Sequence, residues 1–130
     1  MALIYIVEDD KNIREIEHFA LQNSGYRVEE FECAKDFYKR IAVKQPQLVL
    51  LDITLPFFNG YHWCSELRRR SNVPIMFLSS AADNMNIVMA MNMGADDFIA
   101  KPFDTAVLIA KVQALLRRSY AFAPAGPVLE

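Results

Sequence analysis

The sequence predicts an α/β domain built on one open, doubly wound parallel sheet with helices on both faces. Two observations carry this. Short apolar runs and stretches of helical spacing alternate five times along the chain, the pattern of repeated strand–helix units. One of the runs, Leu48 to Leu51, is apolar without a break and reads as a strand buried on both faces. Five units are too few for a closed eight-stranded barrel.

The elements follow in order. The run LIYIV at residues 3–7 leads into EDDKN, where Asp10 or Asn12 can cap a first helix with Ile13, Ile16 and Ala20 on one face. Gly25 suits the left-handed stop of that helix. YRVEEF at 26–31 is the second strand, and a helix over roughly 34–43 ends before Pro46. LVLL at 48–51 is the third strand. The third helix starts near Asn59–Gly60 and ends in RRRSN, where cations suit the negative helix end. PIMFLS at 74–79 is the fourth strand, and the fourth helix covers about 84–93 and stops at Gly94. DFIA at 97–100 is the fifth strand. The last helix runs from Asp104–Thr105 to Arg118 with Leu108, Val112 and Leu115 inward.

Composition narrows the function. The chain has 130 residues, 53% hydrophobic and 23% charged, enough for one domain with a full core. A net charge of −2 gives no electrostatic reason for this domain to bind nucleic acid directly. No apolar run approaches the ~20 residues of a membrane span, and the chain opens on a strand rather than a signal peptide. Cys33 and Cys64 fit no metal-ligand spacing and read as free buried thiols of a cytoplasmic protein.

Ligands of such sheets lie beyond the carboxyl ends of the strands. Reading just past each run gives Glu8, Asp9 and Asp10 after the first strand, Asp52 after the third, Ser79 and Ser80 after the fourth, and Lys101 after the fifth. Singly, each has an ordinary explanation as a cap, a turn or a solvated charge. Together they place acids, a hydroxyl and a lysine on one rim. Converging carboxylates repel one another and become tolerable around a hard divalent cation. That points to Mg²⁺, with Mn²⁺ as a substitute, held by Asp9 and Asp52 with Glu8 acting through water. With its charge neutralised, Asp52 can attack phosphorus. Lys101 and the Ser79 hydroxyl are then available to the remaining phosphoryl oxygens.

These residues, in YIVEDD, LVLLDITLPFFNGY, PIMFLSS and GADDFIAKPF, resemble the response-regulator receiver domains of two-component signalling. The final helix, ending ALLRRS, resembles the OmpR/PhoB-type subfamily. The resemblance implies a flavodoxin-like (CheY-like) sheet of order 2-1-3-4-5 with five helices. It implies Asp52 as phosphoacceptor, Glu8 and Asp9 as the metal acids, and a metal ligand from the Thr54 backbone carbonyl. It further implies Ser79 and Phe98 as switch residues, Lys101 as the partner of the phosphoryl group, and often a cis bond before Pro102. A sensor histidine kinase would donate the phosphoryl group. The receiver would span residues 1–119, with residues 120–130 a tail or linker to a DNA-binding output domain.

Three departures stand out. Phe98 lacks the hydroxyl of the commoner tyrosine, and Ser80 replaces the usual alanine. The third concerns the subfamily's dimer, made by helix four, strand five and helix five through ion pairs. Asp96, Asp97 and Lys111 remain, but Val107 stands where a glutamate is typical, and the helix-four stretch NMNIVMAMNMG carries no charge. Met85, Met89 and Met93 share a face there, and Met91 lies elsewhere. About half of these methionines are expected in the core and the others exposed, forming an apolar dimer or output contact.

Other readings are weaker. A haloacid-dehalogenase-type phosphatase would show a second aspartate where Thr54 stands. A flavodoxin-like cofactor binder would want a phosphate-cradling loop, and EDDKN repels phosphate. A degenerate receiver conflicts with the intact acid, hydroxyl and lysine set.

Overall fold

The computed structural model describes residues 2–52, 60–79, 88–89 and 91–120. Strands β1 (Leu3–Val7), β2 (Arg27–Phe31), β3 (Leu48–Asp52), β4 (Ile75–Ser79) and β5 (Asp97–Ala100) form one parallel sheet of order β2-β1-β3-β4-β5. The register pairs Val7 with Phe31 and Leu51, Asp52 with Leu78, and Ser79 with Ala100. Strands β1, β3 and β4 are buried along their whole length, as their unbroken apolar runs require. The edge strand β2 is more exposed and carries the charges Arg27, Glu29 and Glu30.

Alternate side chains feed two cores, one on each sheet face. Tyr5, Val49, Leu51 and Phe77 join Phe37 and Ile41 of α2 (Ala34–Ile41) and Trp63 and Leu67 of α3 (Gly60–Arg68). Ile4, Ile6, Leu50 and Leu78 meet Leu21 of α1 (Lys11–Asn23) on the other face. That core also holds Leu108, Val112 and Leu115 of the C-terminal helix (Thr105–Tyr120), the three inward positions its spacing predicts.

Asp10 is the α1 cap, its Oδ1 accepting from the amides of Asn12 and Ile13, and Gly25 follows the helix at φ +94°. The face α1 buries differs from the expected one. Arg14, Glu17 and Leu21 point to the sheet, while Ile13 and Ala20 are half-buried and Ile16 is exposed. The reason is local: Arg14 has a backbone carbonyl to bond beneath the helix, and Ile16 turns with Phe19 toward the groove beside the C-terminal helix.

Two smaller expectations also change. Both cysteines are free, but only Cys64 is buried; Cys33 is exposed at the α2 N-cap. Residues 88–89 and 91–92 are helical and end at Gly94, φ +104°. The rest of the predicted fourth helix, Met85 included, lies outside the described residues. Val88, Met89, Met91 and Met93 are all exposed, so none of the described methionines of this helix fills the core.

Candidate functional site

The parallel register brings the carboxyl ends of β1, β3, β4 and β5 to one rim, and the predicted residues meet there. Glu8 follows β1, Asp52 closes β3 and Ser79 closes β4; all three are buried, at 1%, 2% and 0% exposure. Lys101, one residue past β5, reaches back across the rim. Its Nζ donates to Asp52 Oδ2 at 2.6 Å and to Glu8 Oε1 at 2.7 Å. The Lys101 amide donates to the Ser79 carbonyl at 2.9 Å, fixing the root of the side chain. The Lys101–Pro102 bond is cis, as the resemblance implies.

Two buried carboxylates beside one ammonium set the electrostatics. Burial, then the hydrogen bond with Asp52, pushes the Glu8 carboxyl up to about 8 against the pull of Lys101. Burial lowers Lys101, but its bonds to Asp52 and Glu8 outweigh that and hold the ammonium above its ordinary range. Burial and the neighbouring carboxylate thus favour the protonated form of Glu8, while the two acids favour the charged form of Lys101.

Asp9 is exposed and completes the acid set. Glu8, Asp9 and Asp52 each offer an oxygen, all within 4.8 Å of one another. Oxygen ligands at that spacing, facing a cleft of about 470 Å³ lined by Asp10, Ile13, Pro102 and Phe103, fit a hard divalent cation. Thr54 and Ser80 lie outside the described residues. Phe98 is buried in the core that holds Trp63 and Phe77, so its ring is packed inward.

Of the expected interface residues, Asp96 and Asp97 are engaged within the chain. Asp96 Oδ2 accepts from Arg68 at 2.7 Å and from the Ile75 amide at 2.9 Å. Asp97 Oδ1 accepts from Lys111 Nζ at 3.2 Å. Val107, Met89 and Met93 are exposed.

Two α1 residues near the site escaped the sequence reading. Arg14 donates to the Glu8 carbonyl at 2.8 Å. Glu17 is buried, neither of its carboxylate oxygens has a hydrogen-bond partner among the described residues, and burial followed by the charge of Glu8 pushes it up to about 8. The available signal was phase: residues 14, 17 and 21 form one helical stripe containing the apolar Leu21.

Comparison with known proteins identifies the family and the fold. The family model described as the response regulator receiver domain matches residues 4–113. A transcriptional regulatory protein of Bacillus subtilis, YvcP, is 44% identical over 128 residues, 98% of this chain and 54% of that protein. The response regulator protein GraR of Staphylococcus aureus (strain Newman) is 43% identical over 124 residues, 92% of this chain and 53% of that protein. The chain thus spans about half the length of these curated relatives. Among solved structures, the N-terminal domain of the nisin resistance regulator NsrR superposes with a TM-score of 0.81 at 49% identity, covering 90% of this chain and 99% of that one. The beryllofluoride-activated DrrB receiver domain gives 0.83 at 33% identity, covering 91% and 99%.

Proposed function

Because the chain belongs to the response regulator receiver domain family, we propose that it takes a phosphoryl group from a sensor histidine kinase onto Asp52. The observation that carries this is the Asp52 carboxylate, buried at the end of β3 and 2.6 Å from the Lys101 ammonium, with Glu8 and Asp9 beside it. In the reaction an Asp52 oxygen attacks phosphorus in line, the bond from phosphorus to the donor imidazole breaks, and an acyl phosphate forms. Lys101 exchanges its bond to Asp52 for one to a phosphoryl oxygen, as a mobile point charge can. The Ser79 hydroxyl donates to a second oxygen. Bound at Glu8, Asp9 and Asp52, with Thr54 giving its carbonyl, Mg²⁺ or Mn²⁺ would neutralise charge on the third. The rigid β3 end keeps the acceptor fixed while the residues around Ser79 and Phe98 respond.

The same residues would catalyse both uptake and hydrolysis of the acyl phosphate, making this a signalling module rather than a metabolic enzyme. The charge of −2 supports a domain with no nucleic-acid contact of its own. No helix among the described residues is long and apolar enough to cross a membrane, and a cytoplasmic setting is proposed from membership of the receiver-domain family. Output through a DNA-binding domain beyond residues 120–130 is supported by the length of the relatives, one of them named as a transcriptional regulator. Exposed Met89, Met93 and Val107 support a homodimer through the fourth helix, β5 and the C-terminal helix, with apolar contacts replacing ion pairs.

Mass spectrometry after incubation with acetyl phosphate and Mg²⁺ tests the reading. One added phosphoryl group is expected, absent in Asp52→Asn; no adduct on the wild-type protein would overturn it.

A further inference from the structure

The β1–β2 ladder ends one residue before the acids begin. Val7 pairs with Phe31, and the Glu8 amide makes the last main-chain bond, to the Phe31 carbonyl at 3.0 Å. The Glu8 carbonyl then needs a donor where the chain turns away toward Asp10. That donor is a side chain: Arg14 Nη1 reaches it at 2.8 Å.

Arg14 is itself held from the far side. Its Nε donates to Glu30 Oε1 at 3.0 Å and its Nη2 to Glu32 Oε1 at 3.5 Å. Glu30 lies in the β2 edge strand and Glu32 one residue beyond its end. His18 binds the other oxygen of Glu30. Arg14 is 7% exposed, so an uncompensated positive charge there would be costly, and both glutamates offset it. The guanidinium fork serves a carbonyl and two carboxylates from three separate nitrogens; a lysine would have to serve all three from one.

We propose that Arg14 is a positioning residue of the acceptor site. It carries the β1–β2 ladder one peptide further and so fixes the direction in which Glu8 and Asp9 leave the sheet. Glu8 is thereby anchored at its amide by β2, at its carbonyl by Arg14 and at its carboxylate by Lys101. Outer residues that orient metal-binding groups commonly control affinity by about 10–100-fold. The inference rests on Glu8, Asp9 and Asp52 forming a divalent-cation site.

Isothermal titration of Mn²⁺ into the wild-type chain, Arg14→Ala, Arg14→Lys and the pair Glu30→Gln/Glu32→Gln tests it, with circular dichroism giving the folded fraction. Affinity per folded molecule is expected to fall about tenfold in Arg14→Ala, with little rescue in Arg14→Lys. The Glu30/Glu32 pair, which holds Arg14 on the side away from the acids, is expected to weaken binding in the same direction and to add nothing on top of Arg14→Ala. Unchanged affinity in folded Arg14→Ala overturns the proposal. If Arg14→Ala does not fold, unchanged affinity in the Glu30/Glu32 pair overturns it. A wild-type chain that binds no Mn²⁺ would remove the cation site itself, and the Arg14 role with it.

Discussion

A side chain at Gly94 would collide with Arg68: a Cβ built there stands 2.9 Å from Arg68 Cγ, and the backbone at Gly94 is left-handed at φ +104°. Arg68 cannot easily yield, because it donates to the carbonyls of Gly94 at 2.9 Å and Val73 at 2.6 Å as well as to Asp96. Gly94→Ala is therefore expected to lower unfolding free energy by about 1–3 kcal/mol, measured by urea denaturation. A neutral result would show that the segment relaxes around Arg68.

Lys101 is the cation bonded to both Glu8 and Asp52. Lys101→Met is expected to destabilise by about 3–5 kcal/mol at pH 8. The loss should shrink at pH 5, because protonating the freed carboxyls relieves their repulsion. Adding Asp52→Asn should recover part of it. Urea curves at the two pH values check the sign, and equal losses at both would contradict the coupling.

Glu17 gives stability a distinct pH dependence. Its carboxyl moves from an ordinary 4.5 to about 8 on folding, chiefly through burial. The folded chain therefore binds more protons than the unfolded chain between those values. The contribution is complete below about 4.5 and is lost as pH rises through about 8. Glu17→Leu should flatten this fall and stabilise the domain at pH 8 by about 1–3 kcal/mol. A variant whose stability parallels wild type from pH 5 to 9 would refute the assignment.

Exposed Met89, Met93 and Val107 predict association without charge. Light scattering is expected to show dimers when a phosphoryl mimic such as beryllofluoride is present with Mg²⁺. Met89→Glu combined with Met93→Glu should abolish them, and raised salt should not. A monomer in both states at high concentration would sink the proposal.

Much of this was legible from residue order. The buried strands declare themselves as unbroken apolar runs, and in a parallel sheet every such run ends at the same rim. Glu8, Asp52, Ser79 and Lys101 are therefore convergent as soon as the topology is known. The α1 face was misread because periodicity weighs apolar residues, whereas the inward stripe holds Arg14 and Glu17. Arg14 turns inward to the Glu8 carbonyl, a partner that appears only once β1 and β2 are aligned, and Glu17 shares its stripe. Helix four misled in the opposite sense. About half of its methionines were expected in the core, and the three described, Met89, Met91 and Met93, are all exposed.

Lys101 also acts as a counter-ion tethered to the chain. A cluster of acids whose neutralising cation is covalently attached needs no ion from solution in order to fold. A divalent cation at the proposed site would compete with an ammonium already seated on Glu8 and Asp52. Entry of a cation would then depend on how readily a single side chain moves aside. In such a domain the lysine stem, as well as the number of carboxylates, would tune how much free cation the proposed site needs.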